Sequence, residues 1–222
     1  MYLNVIIKIM DNTVGSSSAS FCNFPNSTID HYILGLWCAD GYHWTSSIGL
    51  SSIDRALIQK FREFLLKLFP EQRIKLYQYT TGKRKYIGYK LYVNCRPLLR
   101  IFKGFKDNPQ RKLLNGEVVK AYIAGRFDGD GCISRDLKRD CRISYGNHQD
   151  ARLDADLLET IGILPKLYRY RTSNTFVIYI SRYDTSKFIN AIKRYSVKLQ
   201  KLALGSRRDS DYTEIIRMTA RN

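Results

Sequence analysis

Apolar residues recur every three or four positions in two matching parts of the chain, the spacing that predicts amphipathic helices. In the first part these positions are Ile53, Leu57, Phe61, Phe64, Leu65 and Leu68 and, after Pro97, Leu98, Leu99 and Phe102. In the second part they are Leu153, Leu157, Leu158 and Ile161 and, later, Phe188, Ile189 and Ile192. Pro70 and Gly162 would end the first helix of each part, and Ser51 or Ser52 would cap the start of the earlier one.

Shorter segments between these helices alternate apolar and polar residues around turn-forming residues, which predicts pairs of β-strands. We expect four such pairs, at residues 42–50, 73–95, 132–145 and 167–181. A further helix precedes the first strand pair of each part, so both parts follow the order αββαββα. This order predicts an α+β fold in which each unit has an antiparallel sheet with helices on one face.

A ten-residue segment occurs twice, ninety positions apart. Residues 32–41 read YILGLWCADG and residues 122–131 read YIAGRFDGDG, with Tyr, Ile, Gly, Asp and Gly at the same places. An internal repeat in so short a chain indicates two versions of one structural unit. The predicted units are residues 29–108 and 118–202, with an N-terminal extension at 1–28, a linker at 109–117 and a tail at 203–222.

Small residues lie four positions apart in each copy of the repeat. They are Gly35 with Ala39, and Gly125 with Gly129. On a helix, positions i and i+4 share a face, so each pair leaves a flat strip on which another helix can pack closely. We expect the two repeat helices to form the interface between the units through these strips. Each helix should end at the glycine that closes the repeat.

Each predicted repeat helix ends in an aspartate, Asp40 in the first unit and Asp130 in the second. A carboxylate at a helix C-terminus faces the negative end of the helix dipole, and two that approach each other also repel. A divalent cation between them would remove both costs, and Mg²⁺ is the cation that carboxylates usually bind together with water and phosphate oxygens. The plain alternative, a solvated aspartate at each helix end, explains less well why both copies keep it.

The repeat resembles the signature motif of the LAGLIDADG homing endonucleases. Residues 33–41 and 123–131 keep the glycine, the small residue and the final Asp-Gly of that motif, whereas Cys38 replaces its first aspartate and Arg126 replaces an apolar residue. Two motifs in one chain resemble the single-chain branch, in which the motif helices pair and their last acidic residues bind the catalytic metals. The resemblance implies two or three Mg²⁺ ions, replaceable by Mn²⁺, on Asp40 and Asp130. Further candidate ligands are the backbone carbonyls of Ala39 and Gly129.

The charge balance favours a polyanionic partner. The chain has 222 residues, a net charge of +17 and an isoelectric point near 9.7. Such an excess is typical of nucleic-acid binding, with an acidic membrane surface as the other candidate. No apolar run approaches the 18 residues of a membrane span, and residues 3–10 make a poor signal peptide. Five cysteines without a CxxC motif indicate reduced thiols, so we expect an intracellular, non-secreted protein.

Basic and tyrosine side chains alternate along the predicted strands, which places them on one face of each sheet. The candidate DNA-binding residues of the first unit are Arg73, Lys75, Tyr77, Tyr79, Lys83, Arg84, Lys85 and Lys90, and those of the second are Arg135, Lys138, Arg139, Arg142, Lys166, Arg169 and Arg171. In the first unit, Ile74 and Leu76 would face the core instead. A merely solvated face would mix both charge signs. A two-stranded ribbon fits the DNA major groove, where Arg and Lys can read guanine edges.

Arg96 and Arg182 each follow the last predicted strand of their unit and precede its last helix. In LAGLIDADG enzymes a Lys or Arg near this place helps to stabilise the phosphate transition state, so the resemblance makes both residues candidate catalytic groups. An ordinary contact with the DNA backbone is an equal alternative for each.

Taken with the resemblance, these features predict a monomeric, site-specific endonuclease with internal two-fold pseudo-symmetry. It would make a staggered double-strand break at a long asymmetric site by metal-dependent phosphodiester hydrolysis, as part of intron or intein mobility. Two alternatives remain open: a maturase that binds intron RNA, and a catalytically silent DNA-binding protein on the same fold. The presence of both motif carboxylates argues against silence, because metal chemistry offsets their electrostatic cost.

Overall fold

The computed structural model describes residues 24–81, 86–107, 114–134 and 140–203. The first unit contains α1 (Thr28–Asp40), β1 (Gly41–His43), β2 (Ser47–Ser52), α2 (Arg55–Leu66), a 3₁₀ turn (Glu71–Arg73), β3 (Lys75–Thr81), β4 (Tyr86–Asn94) and α3 (Arg96–Asp107). The second contains α4 (Gly116–Asp130), β5 (Gly131–Ile133), β6 (Cys141–Tyr145), α5 (His148–Thr160), β7 (Lys166–Tyr170), β8 (Thr175–Ile180) and α6 (Arg182–Ile192), and α7 (Val197–Ala203) follows it.

Each unit builds one four-stranded antiparallel sheet, in the order β1-β2-β4-β3 and β5-β6-β8-β7. One face of each sheet packs against helices, because alternate strand residues such as Leu50, Leu91 and Val93 are fully buried. Their counterparts in the second unit include Ile143 and Ile178. The predicted α+β fold of two pseudo-symmetric units is therefore confirmed. None of the described helices is long and apolar enough to cross a membrane.

The start of α2 differs from the predicted one. The helix begins at Arg55, and its cap is Asp54, whose side chain accepts a hydrogen bond from the Ala56 N–H at 2.8 Å. The Ser52 hydroxyl oxygen instead accepts from the N–H of Asp54. Ile53 therefore lies before the helix and is 61% exposed, although its spacing from Leu57 predicted a buried position.

The edge strand β3 also departs from its prediction. Arg73 belongs to the 3₁₀ turn that precedes the strand, and Leu76 is 50% exposed, although alternation predicted that it faces the core. The reason is that β3 lies at the edge of the sheet, where the helical layer covers it incompletely.

The start of one helix and the whole of another were not visible in the sequence pattern. Helix α4 begins at Gly116, inside the predicted linker, with a positive φ of 52° at that residue. Helix α7 was not predicted, because it follows the last helix of the αββαββα order, although nearly all of it lies within the predicted second unit.

The glycines after the motif aspartates serve a different purpose from the predicted one. Gly41 and Gly131 have φ angles of −71° and −91°, so neither adopts the left-handed conformation expected of a C′ glycine. A β-carbon at Gly41 would lie 2.5 Å from the indole of Trp37, and one at Gly131 would clash with the ring of Phe127. Glycine is thus needed here because both the carbonyl oxygen and the aromatic side chain of the residue four positions earlier lie against the backbone.

Candidate functional site

The two motif helices α1 and α4 pack backbone against backbone. A β-carbon on Gly35 would collide with the carbonyl oxygen of Tyr122, and one on Gly125 would collide with that of Tyr32 and lie 2.6 Å from the Leu36 nitrogen. Nearer the helix ends, a β-carbon on Gly129 would overlap the β-carbon of Ala39. The four predicted small residues therefore lie in the helix interface, where close approach leaves no room for side chains.

Close packing brings the motif carboxyl groups to the same end of the helix pair. The Asp40 carboxyl carbon lies only 3.4 Å from where a β-carbon on Gly129 would be, one residue before Asp130. Burial and, second, repulsion from Asp130 raise the pKa of Asp40 to about 6. Burial also raises the pKa of Asp130, whereas the positive charges of Arg126, Lys198 and Lys106 oppose that shift. The two motif carboxyl groups therefore lie close enough to interact, and the positive charges of Arg126 and Lys198 act on both.

The donor set fits a divalent metal ion. Carboxylate oxygens are the protein ligands that Mg²⁺ and Mn²⁺ accept, and both ions usually keep water or phosphate oxygens in the remaining positions. Among the described residues, no cluster of three or more His, Cys, Asp or Glu side chains could hold a metal. Ala39 and Gly129, whose carbonyls are the further candidate ligands, lie in the last turn of their helices, where carbonyls lose their helical partners.

Arg126, the residue that departs from the motif, is a buried cation beside this site. Its side chain is only 4% exposed, and its Nη1 lies 3.9 Å from Oδ2 of Asp130. Its Nε donates a hydrogen bond to Oδ2 of Asp154 in α5 at 3.1 Å. Tyr122 and Tyr145 donate to the same carboxylate through their hydroxyl groups at 3.1 and 3.0 Å. The guanidinium also stacks 4.4 Å from the centre of the Tyr145 ring.

A second buried carboxylate, Asp128, joins the motif helices to α7. Its Oδ2 accepts hydrogen bonds from the hydroxyl of Tyr32 and the backbone N–H of Val197, both at 2.7 Å. Its Oδ1 accepts from the hydroxyl of Ser196 and the backbone N–H of Lys198. Burial raises the pKa of Asp128, while these hydrogen bonds work in the opposite direction. Because Tyr32 belongs to the first unit, the cluster ties both units to α7.

Lys198 extends from α7 to the C-terminal end of α4. Its ammonium donates to the carbonyl of Gly131 at 2.7 Å and to that of Phe127 at 3.1 Å. Burial lowers its pKa, and the nearby carboxyl groups of Asp128 and Asp40 oppose that shift. The positive charge is thus held at the negative end of the helix dipole, next to the motif carboxyl groups.

Sequence reasoning did not find Asp154 or Lys198. Asp154 left one signal: it precedes Leu157 and Leu158 by three and four residues, and so places a carboxylate on the buried face of its helix. Lys198 left none, since it lies after the repeated pattern in a lysine-rich stretch.

The open face of the first sheet carries tyrosine and lysine side chains. The strand pairing puts Lys75 opposite Tyr92, Tyr77 opposite Lys90 and Tyr79 opposite Gly88. Tyr77 and Tyr92 stack with ring centres 5.8 Å apart, and the Lys90 ammonium lies 5.1 Å from the centre of the Tyr79 ring. The predicted alternation therefore holds for Lys75, Tyr77, Tyr79 and Lys90.

In the second sheet, one predicted DNA-binding residue does not share a face with the others. Lys166 pairs with Tyr179, and Tyr168 pairs with Val177, so Lys166 and Tyr168 share a face with Tyr179. Arg169 lies between Tyr168 and Tyr170 in the strand, and its guanidinium lies 5.6 Å from the ring of Phe176 on the opposite face. Arg169 therefore lies on the side of the sheet that carries Phe176, exposed on the edge strand β7, and its contact with DNA stays a prediction.

The remaining predicted contacts divide into three groups. Arg142 lies on the second sheet beside Tyr179 and pairs with Asp140 at 3.0 Å, and Arg171 lies exposed in the turn after β7. Arg96 and Arg182 are the exposed first residues of α3 and α6, and Arg182 contacts Tyr183. The predicted residues Lys83, Arg84, Lys85, Arg135, Lys138 and Arg139 lie outside the described residues.

Two similar α+β units joined through glycine-rich helices that end in paired carboxyl groups define the class of protein. The family model described as the LAGLIDADG-like domain matches residues 27–104 and 117–193, one match in each unit. The chain belongs to this family, which confirms the resemblance carried by the repeat.

Solved structures with the same fold include the homing endonuclease I-DmoI. In its complex with DNA and Ca it is 18% identical to this chain, with a TM-score of 0.62 over 80% of this chain and 98% of I-DmoI. Its complex with DNA and Mn gives a TM-score of 0.57 at 20% identity, over 74% of this chain and 96% of I-DmoI. Full-length DUF199/WhiA from Thermatoga maritima is 16% identical, with a TM-score of 0.52 over 97% of this chain and 72% of that protein.

Among curated proteins, the chain is similar to the DNA-directed RNA polymerase subunit Rpo1C of Methanocaldococcus jannaschii. The two are 24% identical over 195 residues, which is 83% of this chain. The match spans only 22% of the polymerase subunit, so this chain corresponds to a small part of that larger protein.

Proposed function

We propose that this protein is a divalent-metal-dependent, site-specific DNA endonuclease that makes a staggered double-strand break. The single observation that carries this proposal is the pair of motif carboxyl groups, held side by side by backbone packing of α1 and α4. Nothing in helix packing requires an acidic residue at this place. Burial and, second, repulsion from Asp130 raise the pKa of Asp40, so its ionised form is unfavourable there, and cation binding would offset that cost.

The rest of the chain suits a duplex target. The open sheet faces carry Lys75, Lys90, Arg142 and Lys166 among tyrosines, and the net charge is +17. The protein would act as a monomer. The open sheet face of each unit would contact one half of a long, asymmetric DNA site. The I-DmoI complexes, which contain DNA with Mn or Ca, support a DNA target and a divalent cation of the Mg²⁺ or Mn²⁺ type.

Asp40 and Asp130 would bind the metal ions, assisted by the carbonyls of Ala39 and Gly129. When bound, the metals supply the activation of water and the neutralisation of charge on the scissile phosphates. The backbone contact of the helices fixes the spacing of the two carboxylates. Lys198 stabilises the end of α4 from which Asp130 projects. Arg96 and Arg182 are proposed to contact phosphates at the edges of the site.

The proposal extends to genetic mobility. The matched region occupies a small part of a much longer polymerase subunit, the arrangement expected for a segment that inserts itself into other coding sequences. Cleavage at a long site in a copy of the host gene that lacks the inserted segment would direct such insertion. Its place of action would be intracellular, wherever the target DNA lies.

The decisive experiment selects cleaved molecules from a randomised duplex library in the presence of Mg²⁺ and sequences the ends. We expect one long site with a staggered cut, and no cut in EDTA. Recovery of bound but uncut duplexes would contradict the proposed enzyme and support a silent DNA-binding protein. Tight binding of structured RNA in preference to every duplex would support a maturase.

Salt dependence provides a second test. Affinity for the selected site should fall steeply between about 50 and 200 mM salt, because neutralising phosphates releases counterions. Fluorescence anisotropy with labelled duplex measures this slope. An affinity that stays constant over that range would contradict the polyanion partner.

A further inference from the structure

The buried cluster around Arg126 occurs in the second unit but not at the matching places of the first. Leu36 occupies the position of Arg126 one repeat earlier and is fully buried among apolar residues. Phe61 lies seven residues after the cap Asp54, as Asp154 lies seven residues after the cap Asn147, and it is also fully buried. The second unit thus replaces an apolar pair with a charged one.

One guanidinium connects this charged pair to the proposed metal site. The Nε of Arg126 binds Asp154, and a different nitrogen, Nη1, faces Asp130 at 3.9 Å. Three donors converge on the Asp154 carboxylate, and Tyr145 stacks on the guanidinium, so the arginine has little freedom to move away. The positive charge therefore stays beside Asp130.

The consequence for a bound cation is unequal on the two sides. A fixed positive charge near a ligand opposes the binding of a further cation by Coulomb repulsion. Asp40 has Leu36 where Asp130 has Arg126, four residues before the carboxylate in each case. Arg126 is the strongest nearby positive charge acting on Asp130, whereas for Asp40 Lys198 ranks ahead of it. The same guanidinium also restricts where the Asp130 carboxylate can point, because the two groups lie on adjacent turns of one helix.

We propose that Arg126 is a positioning residue that holds Asp130 and weakens cation binding on its side, so that the two DNA strands are cut in sequence. This inference rests on the proposed function for its strand-cutting part. Its cation-binding part concerns the protein alone. The two parts can therefore fail separately.

The test compares two double variants that each remove one Arg–Asp pair. Arg126→Leu with Asp154→Asn removes the buried pair. It gives the second unit the leucine that the first unit has at this position, and the asparagine oxygen can still accept from Tyr122 and Tyr145. Arg152→Leu with Asp156→Asn removes a surface pair in α5, the helix that holds Asp154. In that pair, Nε of Arg152 and Oδ1 of Asp156 lie 3.1 Å apart. A single variant, Arg126→Lys, keeps the charge at this position.

Binding of Mn²⁺ to the protein alone is the first measurement, by electron paramagnetic resonance of the free ion. We expect about a threefold or larger gain in affinity for the Arg126→Leu/Asp154→Asn protein, and no change for the surface control or for Arg126→Lys. The gain should persist when Asp40→Asn is added and vanish when Asp130→Asn is added. An unchanged affinity in a folded double variant would overturn the proposal.

The second measurement follows each strand of the selected duplex with a separate fluorescent label at limiting Mg²⁺. Wild-type protein should accumulate a nicked intermediate, and the buried-pair variant should cut both strands at similar rates. Equal strand rates in wild type would contradict the sequential order. If wild type cuts no DNA while the Mn²⁺ result is as expected, the endonuclease proposal fails and the role of Arg126 at the carboxylates stands.

Discussion

The two units have the same fold, but the electrostatic environments of their motif carboxyl groups differ. Strand order, helix order and the glycine contacts are the same on both sides of the α1–α4 interface. Around the motif carboxyl groups, however, the second unit supplies Arg126, Asp154 and Lys198, whereas the first supplies Leu36 and Phe61. The comparison shows that pseudo-symmetry of packing does not impose symmetry of charge. Packing requires matching volumes, while charge at a site depends on single substitutions.

The largest expected effect comes from removing either carboxylate. Asp40→Asn or Asp130→Asn should lower double-strand cleavage by about a thousandfold or more, because each removes a metal ligand and its charge. Binding of the selected duplex should stay within about threefold of wild type, since the carboxylates face metals and not bases. Labelled strands should show whether the two variants spare different strands.

Asp107→Asn is the matched control, because Asp107 is an exposed aspartate at the end of α3. It should cleave as wild type does. Near-normal cutting of both strands by either motif variant would show that the carboxylates are not metal ligands, and the comparison of the two sides would lose its functional meaning.

The next effect concerns the shared packing. Gly125→Leu should destabilise the protein by about 3 kcal/mol or more, because a side chain there collides with the Tyr32 carbonyl oxygen and the Leu36 nitrogen. Urea unfolding measures the change. Any folded variant should bind duplex but cut it poorly, since a displacement of about 1 Å can cost a hundredfold in rate.

Gly104→Leu provides the control, because nothing lies within 4 Å of a β-carbon at Gly104 in α3. Replacing that glycine should leave stability unchanged or slightly increase it. Equal free energies of unfolding for the two variants would mean that α1 and α4 do not pack through Gly125.

A smaller effect should follow loss of the lysine that only the second unit has. Lys198→Met keeps the apolar stem but removes the ammonium from the carbonyls of Phe127 and Gly131. Stability should fall by about 1–3 kcal/mol, the usual contribution of hydrogen bonds from a charged donor, although the Phe127 carbonyl keeps the N–H of Gly131 as a partner.

Lys201→Met is the matched change in the same helix, because Lys201 is an exposed lysine paired with Asp54 across the units. We expect less than about 1 kcal/mol of destabilisation from it. Equal losses of stability from Lys198→Met and Lys201→Met would show that the two carbonyl contacts of Lys198 do not stabilise the end of α4.

The smallest effect is a pH dependence of the metal-free protein. The pKa of Asp40 is raised to about 6 in the folded state, above its ordinary value, so the folded state binds the proton more tightly than the unfolded state. Its contribution to stability is therefore lost as pH rises from about 4 to about 6. In EDTA at pH 7, Asp40→Asn should be more stable than wild type by about 1 kcal/mol, since the site is partly open to water.

Thermal unfolding of both proteins between pH 4 and pH 7 measures this difference, which should shrink towards pH 4. Added Mg²⁺ should raise the melting temperature of wild type and not that of the variant. A constant difference across the range would indicate that Asp40 does not carry the raised pKa.

The sequence by itself determined the repeat, the fold of each unit, the helix interface and the family. These features are periodic or local: helical spacing, strand alternation and small residues four apart are visible within ten residues of one another. Prediction was less accurate where neighbouring residues could each cap a helix, as Ser52 and Asp54 could for α2. It was also less accurate where the position of a strand in the sheet set the exposure of a residue, as for Leu76 on the edge strand.

Only the tertiary structure decided what surrounds the motif carboxyl groups. Arg126 meets Asp154 across 28 residues, and Lys198 meets the carbonyls of Phe127 and Gly131 across 71 and 67 residues. No periodic pattern encodes such contacts, because they depend on how helices from separate parts of the chain are placed. In the sequence, Arg126 stands out as a charge at an apolar position and Asp154 as a carboxylate on the apolar face of its helix, but only the fold shows that they form a pair.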